Sequence, residues 1–258
     1  MTVAGHRSGW AVSFARQAVW LLLLLLLPAL VSADQLRVAV ASNFAGAMTA
    51  LGERFEAHTG HRLSLVIGAT GKLYAQIRNG APFDVLFAAD EERPRLLEDQ
   101  GLALPGSRFT YARGRLVLWS PRPGYVDSEG RVLERAGFTH LAIANPRLAP
   151  YGAAARELLQ ARGLWQGLQG QLVRGENIAQ TYQFVGSGNA ELGLVAYAQI
   201  LDAEGHAQGS YWLVPAGLYR PIEQQAVLLR DSATARDLLA FVKGDEAGVI
   251  IRAHGYDR

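Results

Sequence analysis

Arg37-Val38-Ala39-Val40-Ala41-Ser42-Asn43-Phe44-Ala45-Gly46-Ala47-Met48 is the stretch that decides how this chain folds. Its first half continues an apolar run from Leu36 and reads as a short buried strand over 36–41. The second half opens a helix predicted over 45–59, with Met48, Leu51 and Phe55 on one face and Gly60 as its terminator. Ser42 and Asn43 fall at the junction, and both are preferred residues at a helix start. A strand that ends in a helix start presents unpaired N–H groups and the positive end of the helix dipole in one direction. That geometry suits an anion. The plainest role for Ser42 is to cap its helix, but Gly68-Ala69-Thr70-Gly71 repeats the same kind of junction one unit later.

Outward from there, strand and helix alternate. Strands are predicted over 63–67 and 84–88, and helices over 72–78 and 92–100. Phe109–Ser120 is a long, nearly continuous β-rich segment that breaks the rhythm. A second series follows, with strands over 141–144, 172–174 and 192–195 and helices over 152–162, 178–186 and 197–202. Tyr211–Val214, a strand over 225–229 and helices over 234–243 and 246–253 complete the chain. This alternation predicts an α/β protein of two lobes, each a parallel-rich sheet flanked by helices. The first lobe is expected at 34–112 plus 226–258 and the second at 113–225, with strand crossings near 109–120 and 222–229. Ligands of such sheets bind beyond the carboxyl ends of the strands and favour the cleft between lobes.

Residues 1–33 stand apart from the rest. Arg7 and Arg16 precede an apolar run that includes the leucines from Leu21 to Leu27, no acid occurs before Asp34, and Val31-Ser32-Ala33 is a small-x-small cleavage pattern. This describes a secretory signal peptide, too short and too interrupted by Pro28 for a membrane span. Its removal takes two of the 25 basic side chains and leaves 23 against 23 acids, a neutral chain with no basic run for nucleic acid. The absence of cysteine excludes disulfides, thiolate metal sites and a lipid-modified N-terminus.

Four strand-to-helix junctions, at Ser42, Thr70, Tyr151 and Ile178, offer small residues, hydroxyls and free backbone. Tyr151 can contribute its phenol or its N–H, and Ile178 only its N–H. A doubly charged oxyanion without a proton accepts hydrogen bonds and donates none, so a site for it needs donors and excludes carboxylates. No acid lies in these turns, although Asp84 and Asp90 flank the third strand. Catalytic patterns are missing. The histidines are scattered, and there is no Gly-x-Ser-x-Gly elbow, no zinc-binding His-Glu-x-x-His and no P-loop.

Several segments together resemble the periplasmic molybdate-binding proteins of bacterial ABC transporters. They are Ala41-Ser42-Asn43-Phe44, Gly68-Ala69-Thr70-Gly71-Lys72-Leu73-Tyr74, Asn79-Gly80-Ala81-Pro82-Phe83-Asp84-Val85, Ala144-Asn145-Pro146-Arg147-Leu148-Ala149-Pro150-Tyr151-Gly152 and Gly193-Leu194-Val195-Ala196. The likeness runs in order along nearly the whole chain beyond residue 33. It implies a two-lobed, type II-like periplasmic binding protein that closes over molybdate or tungstate in the inter-lobe cleft and hands it to a membrane permease. No catalysis, no cofactor and no direct metal ligand are implied. Carried over by position, the oxyanion's donors fall at Ser42, Asn43, Thr70, Tyr151 and the backbone of Ile178. Some members of this family carry a ligand tyrosine directly after the Gly-(Ile/Leu)-Val strand. Ala196 stands there in this chain, and Tyr197 one residue later faces differently. A monomer is expected, in the periplasm. Sulfate or phosphate would be the alternative oxyanion. The same fold also serves transcription regulators, but those need a DNA-binding segment where this chain has its leader.

Overall fold

Apart from Met1, the computed structural model describes residues 35–135 and 137–258. The expected signal peptide lies outside the described residues.

The first sheet is built from β1 (Gln35–Ala41), β2 (Arg62–Gly68), β3 (Val85–Phe87), β4 (Phe109–Gly114) and β10 (Ile222–Leu228), in the order β2-β1-β3-β10-β4. The second contains β5 (Leu116–Ser120), β6 (Leu141–Ala144), β7 (Leu172–Gly175), β8 (Leu192–Ala196) and β9 (Ser210–Leu213), in the order β7-β6-β8-β5-β9. Each sheet has three parallel strands on one side and continues antiparallel on the other. The lobes therefore share a topology that no sequence repeat announces. β5 and β10, each of which follows a strand of the other sheet, run antiparallel to their neighbours.

The apolar runs of β3, β5, β6 and β8 are buried along their whole length, as central strands covered on both faces must be. In the first lobe α1 (Ala45–Thr59) packs Met48, Leu51 and Phe55 against the sheet at helical spacing. Each such side chain contributes about 1.5–3 kcal/mol by leaving water. The helix ends as its sequence predicts, at Gly60 with φ 74°, a conformation that favours glycine. The remaining helices of this lobe are α2 (Thr70–Arg78), α3 (Glu92–Asp99), α6 (Ala233–Lys243) and α7 (Asp245–Ala253), and the second lobe carries α4 (Pro150–Ala161) and α5 (Ile178–Gly186).

Several expectations shift. The 109–120 segment is two strands, β4 and β5, that belong to different sheets and meet at Gly114-Arg115. β10 pairs with β4 from Ile222 onward and stays whole within the first sheet. The helix expected over 197–202 is only a 3-10 turn, Tyr197–Gln199, after which Leu201 bridges to Ala207. Helices α2 and α4 start two residues earlier than the pattern suggested, at Thr70 and Pro150. Proline suits the first helical position, where its missing N–H would have had no partner.

Candidate functional site

Ser42, Asn43, Thr70, Tyr151 and Ile178 line one small cavity of about 10 Å3, together with Ala41, Ala69, Ala89 and Ala149. It lies between the carboxyl ends of the two sheets, where β1 and β2 from the first lobe meet the starts of α4 and α5 from the second. No carboxylate lines it among the described residues.

The helix starts around the cavity are open. Ala41, Ala69 and Ala149 occupy the N-cap positions of the 3-10 turn Ser42–Phe44, of α2 and of α4, and none supplies a capping hydrogen bond. Alanine is a poor N-cap because it has no acceptor to give. The early N–H groups of Asn43, Thr70, Tyr151 and Ile178 thus have no acceptor within their own helices, and no turn or loop carbonyl takes them. α5 differs, since Asn177 caps it by accepting from Gln180 N at 3.0 Å. That cap still leaves the N–H of Ile178 unused.

The two hydroxyls differ in how they are held. Ser42 caps nothing, and its hydroxyl has no protein partner among the described residues. Thr70 Oγ1 accepts the N–H of Ala89 at 3.1 Å, so its own proton is free for another acceptor. The cavity therefore offers unpaired N–H and O–H donors and no carboxylate among its lining residues. Fixed hydrogen bonds to a charged group are worth about 1.5–3 kcal/mol each, and convergent helix dipoles add to them.

The side chains of Asn43 and Tyr151 do other work. Asn43 Nδ2 donates to Gln224 Oε1 at 2.8 Å and to Tyr256 OH at 3.2 Å, while Tyr256 OH donates back to Asn43 O at 2.6 Å. Tyr111 OH is shared between Ala88 O and Gln224 Oε1, 3.1 Å from each. Gln224 Nε2 reaches Tyr151 OH at 3.5 Å. The Tyr151 phenol is thus turned into a buried network next to Gly114, where an added Cβ would lie 2.1 Å from its oxygen. Burial drives the hydroxyls of Tyr111, Tyr151 and Tyr256 far above the usual phenol range, so they stay protonated. Of the two contributions open to Tyr151, only its N–H remains for the cavity.

The lobes touch around the cavity. Gly71 N donates to Leu148 O at 2.8 Å, Lys72 pairs with Glu176, and Arg93 Nη2 lies 3.4 Å from Arg147 O. A Cβ at Gly71 would meet Leu148 O at 3.0 Å, so this approach depends on glycine. Gln199 braces the second lobe's side by accepting from Ala196 N and donating to Ile178 O.

Asp84 and Asp90 sit at opposite ends of β3 and form no pair. Asp84 accepts from Arg37 N, and Asp90 pairs with Arg93 outside the cavity. Burial raises the Asp90 carboxyl above its ordinary range against the pull of Arg93. Tyr197 does not line the cavity; its ring carries the Arg115 guanidinium 4.3 Å from its centroid. Sequence reading missed Gln224, Gly71 and Gly114. Only Gly114, an isolated glycine within a β-rich run, carried a signal of close approach.

Two mixed sheets, exchanged strands and a carboxylate-free cavity between them define a two-lobed solute-binding protein. The chain belongs to the family of bacterial extracellular solute-binding proteins, which matches residues 36–257. Among its relatives, the molybdate-binding protein ModA of Azotobacter vinelandii is 48% identical over 234 residues, covering 90% of this chain and 93% of the relative. ModA of Rhodobacter capsulatus is 46% identical over 242 residues, covering 93% and 94%. The solved structure of the Azotobacter vinelandii periplasmic molybdate-binding protein superposes with a TM-score of 0.84 at 46% identity, covering 86% of this chain and 99% of that one. Proteins of this type bind and release a solute, carry no cofactor and are not enzymes.

Proposed function

We propose that this protein captures molybdate, and tungstate with it, as a proton-free oxyanion and delivers it to the permease of an ABC transporter. The cavity composition carries this reading: hydroxyl-bearing and helix-start residues from both lobes line it, and no carboxylate does. In the proposed complex, the hydroxyls of Ser42 and Thr70 and the N–H groups of Asn43, Thr70, Tyr151 and Ile178 hold the oxyanion. Phosphate, which keeps a proton near neutral pH, would find no carboxylate to accept it. Residues 35–114 with 222–258 would form one lobe and 115–221 the other, opening about Gly114-Arg115 and 214–221. Closure through Gly71 and Leu148 would mark the loaded state for the permease. The protein would act as a monomer in the periplasm after loss of residues 1–33.

A thermal-shift series on residues 34–258 tests this, with molybdate, tungstate, sulfate and phosphate at equal concentration. A ligand that binds only the native state adds about 2.7 kcal/mol at a hundredfold excess over its dissociation constant. Shifts with molybdate and tungstate alone are expected. A shift with sulfate or phosphate instead would overturn the ligand, and no shift with any of the four would overturn the site.

A further inference from the structure

The second lobe carries another hollow, separate from the oxyanion cavity, lined by Asn145, Pro146, Arg147, Arg156, Trp165 and Arg174, with a volume of about 400 Å3. Three guanidinium groups share it, and no carboxylate lines it. Arg156, one of its lining residues, has its Nε buried without a hydrogen-bond partner, a costly state for a group that carries charge. Arg174 Nη2 donates to Gln169 Oε1 at 2.9 Å, and neither Arg147 nor Arg156 forms an ion pair among the described residues. The nearest acids in sequence are committed elsewhere. Glu157 accepts from Arg220 at 2.8 Å, and Glu176 pairs with Lys72 across the lobes. Beyond residue 33 the chain has equal numbers of basic and acidic side chains, so this concentration is local and not a consequence of bulk charge.

We propose that this hollow is a second anion site, for a small molecule bearing two or more oxyanionic groups, with the Trp165 indole as its apolar wall. Planar guanidinium forks match phosphate and carboxylate oxygens in pairs. The hollow is far roomier than the oxyanion cavity, and its arginines surround more space than one tetrahedral anion fills. Its chemistry is also opposite in kind. The cavity selects by fixed neutral donors, whereas the hollow attracts by charge and takes either a polyphosphate or a polycarboxylate.

The experiment is a calorimetric titration of residues 34–258 with pyrophosphate and, in a separate arm, with citrate, each with and without saturating molybdate. One equivalent should bind in at least one arm, equally well in both conditions, and the stronger arm identifies the anion class. Arg156→Gln and Arg174→Gln should each weaken it about tenfold or more and leave the molybdate-induced thermal shift unchanged. Arg174 is exposed on an edge strand, so its variant keeps the test decisive if Arg156→Gln lowers stability. Absence of binding in both arms, binding indifferent to both substitutions, or binding displaced by molybdate would each overturn the proposal. Failure of the molybdate reading would show itself separately, as a missing thermal shift with both hollow arginines intact.

Discussion

The two lobes meet the same cavity with different chemistry. The first brings hydroxyls, Ser42 and Thr70, at helix starts whose N-cap positions are alanines. The second brings peptide N–H groups, since Tyr151 turns its phenol into the Gln224 network and the Ile178 side chain has no polar atom. A donor that belongs to a side chain can be read from residue type and deleted by an ordinary substitution. A donor that belongs to the backbone is set by where a helix starts, and most substitutions leave it in place. On the proposed reading, the second lobe's half of the site should tolerate changes that cripple the first lobe's half.

Thr70→Val should produce the largest effect, because it removes a donor and also strands the buried N–H of Ala89. Affinity for molybdate should fall about 10–100-fold, and the unliganded protein should lose about 1–3 kcal/mol of stability. Calorimetry and chemical denaturation read the two losses separately, and an unchanged stability would mean that the bond to Ala89 is idle. Next comes Ile178→Pro, which takes away an N–H at the first position of α5, where proline fits. Asn177 already has the extended backbone that precedes a proline, φ −138° and ψ 176°. An affinity loss of about tenfold or more is expected, with circular dichroism showing the helix content retained. Unaltered affinity would break the comparison, since the second lobe would then hold its ligand by something other than backbone. Ser42→Ala should be the mildest. Its hydroxyl supports nothing in the protein, so affinity should drop about tenfold while the melting temperature of the unliganded protein stays put. A parallel drop in that melting temperature would restore the capping role that the geometry denies.

Much of this architecture was legible because its signals are local. The uninterrupted apolar runs at β5, β6 and β8 announce strands covered on both faces. Gly60 ends α1 because a left-handed residue is needed there. The crossings were harder to locate. Gly114 and Arg115 look like the middle of one long strand, and only pairing partners show that the strand on each side belongs to a different sheet. The 197–202 stretch has a helix-like composition, yet only the turn Tyr197–Gln199 forms before Leu201 bridges to Ala207. At the site, the hydroxyls could be picked out from residue type. The roles of Gln224, Tyr111 and Tyr256 could not, because Asn43 and Gln224 are 181 residues apart in the chain and no periodicity links them.

The sequence by itself determined the strand-to-helix junctions, the exclusion of carboxylates from them and the two-lobed α/β class. Each follows from propensity, spacing or residue chemistry over a few positions. Tertiary structure alone decided that junctions from two lobes face one cavity, that Thr70 spends its oxygen on Ala89 and keeps its proton, and that Tyr151 offers its N–H and not its phenol. These are long-range matters of where the backbone ends up. A hydrogen-bonding group has a fixed capacity, and only its neighbours in space decide how much of it remains for a ligand.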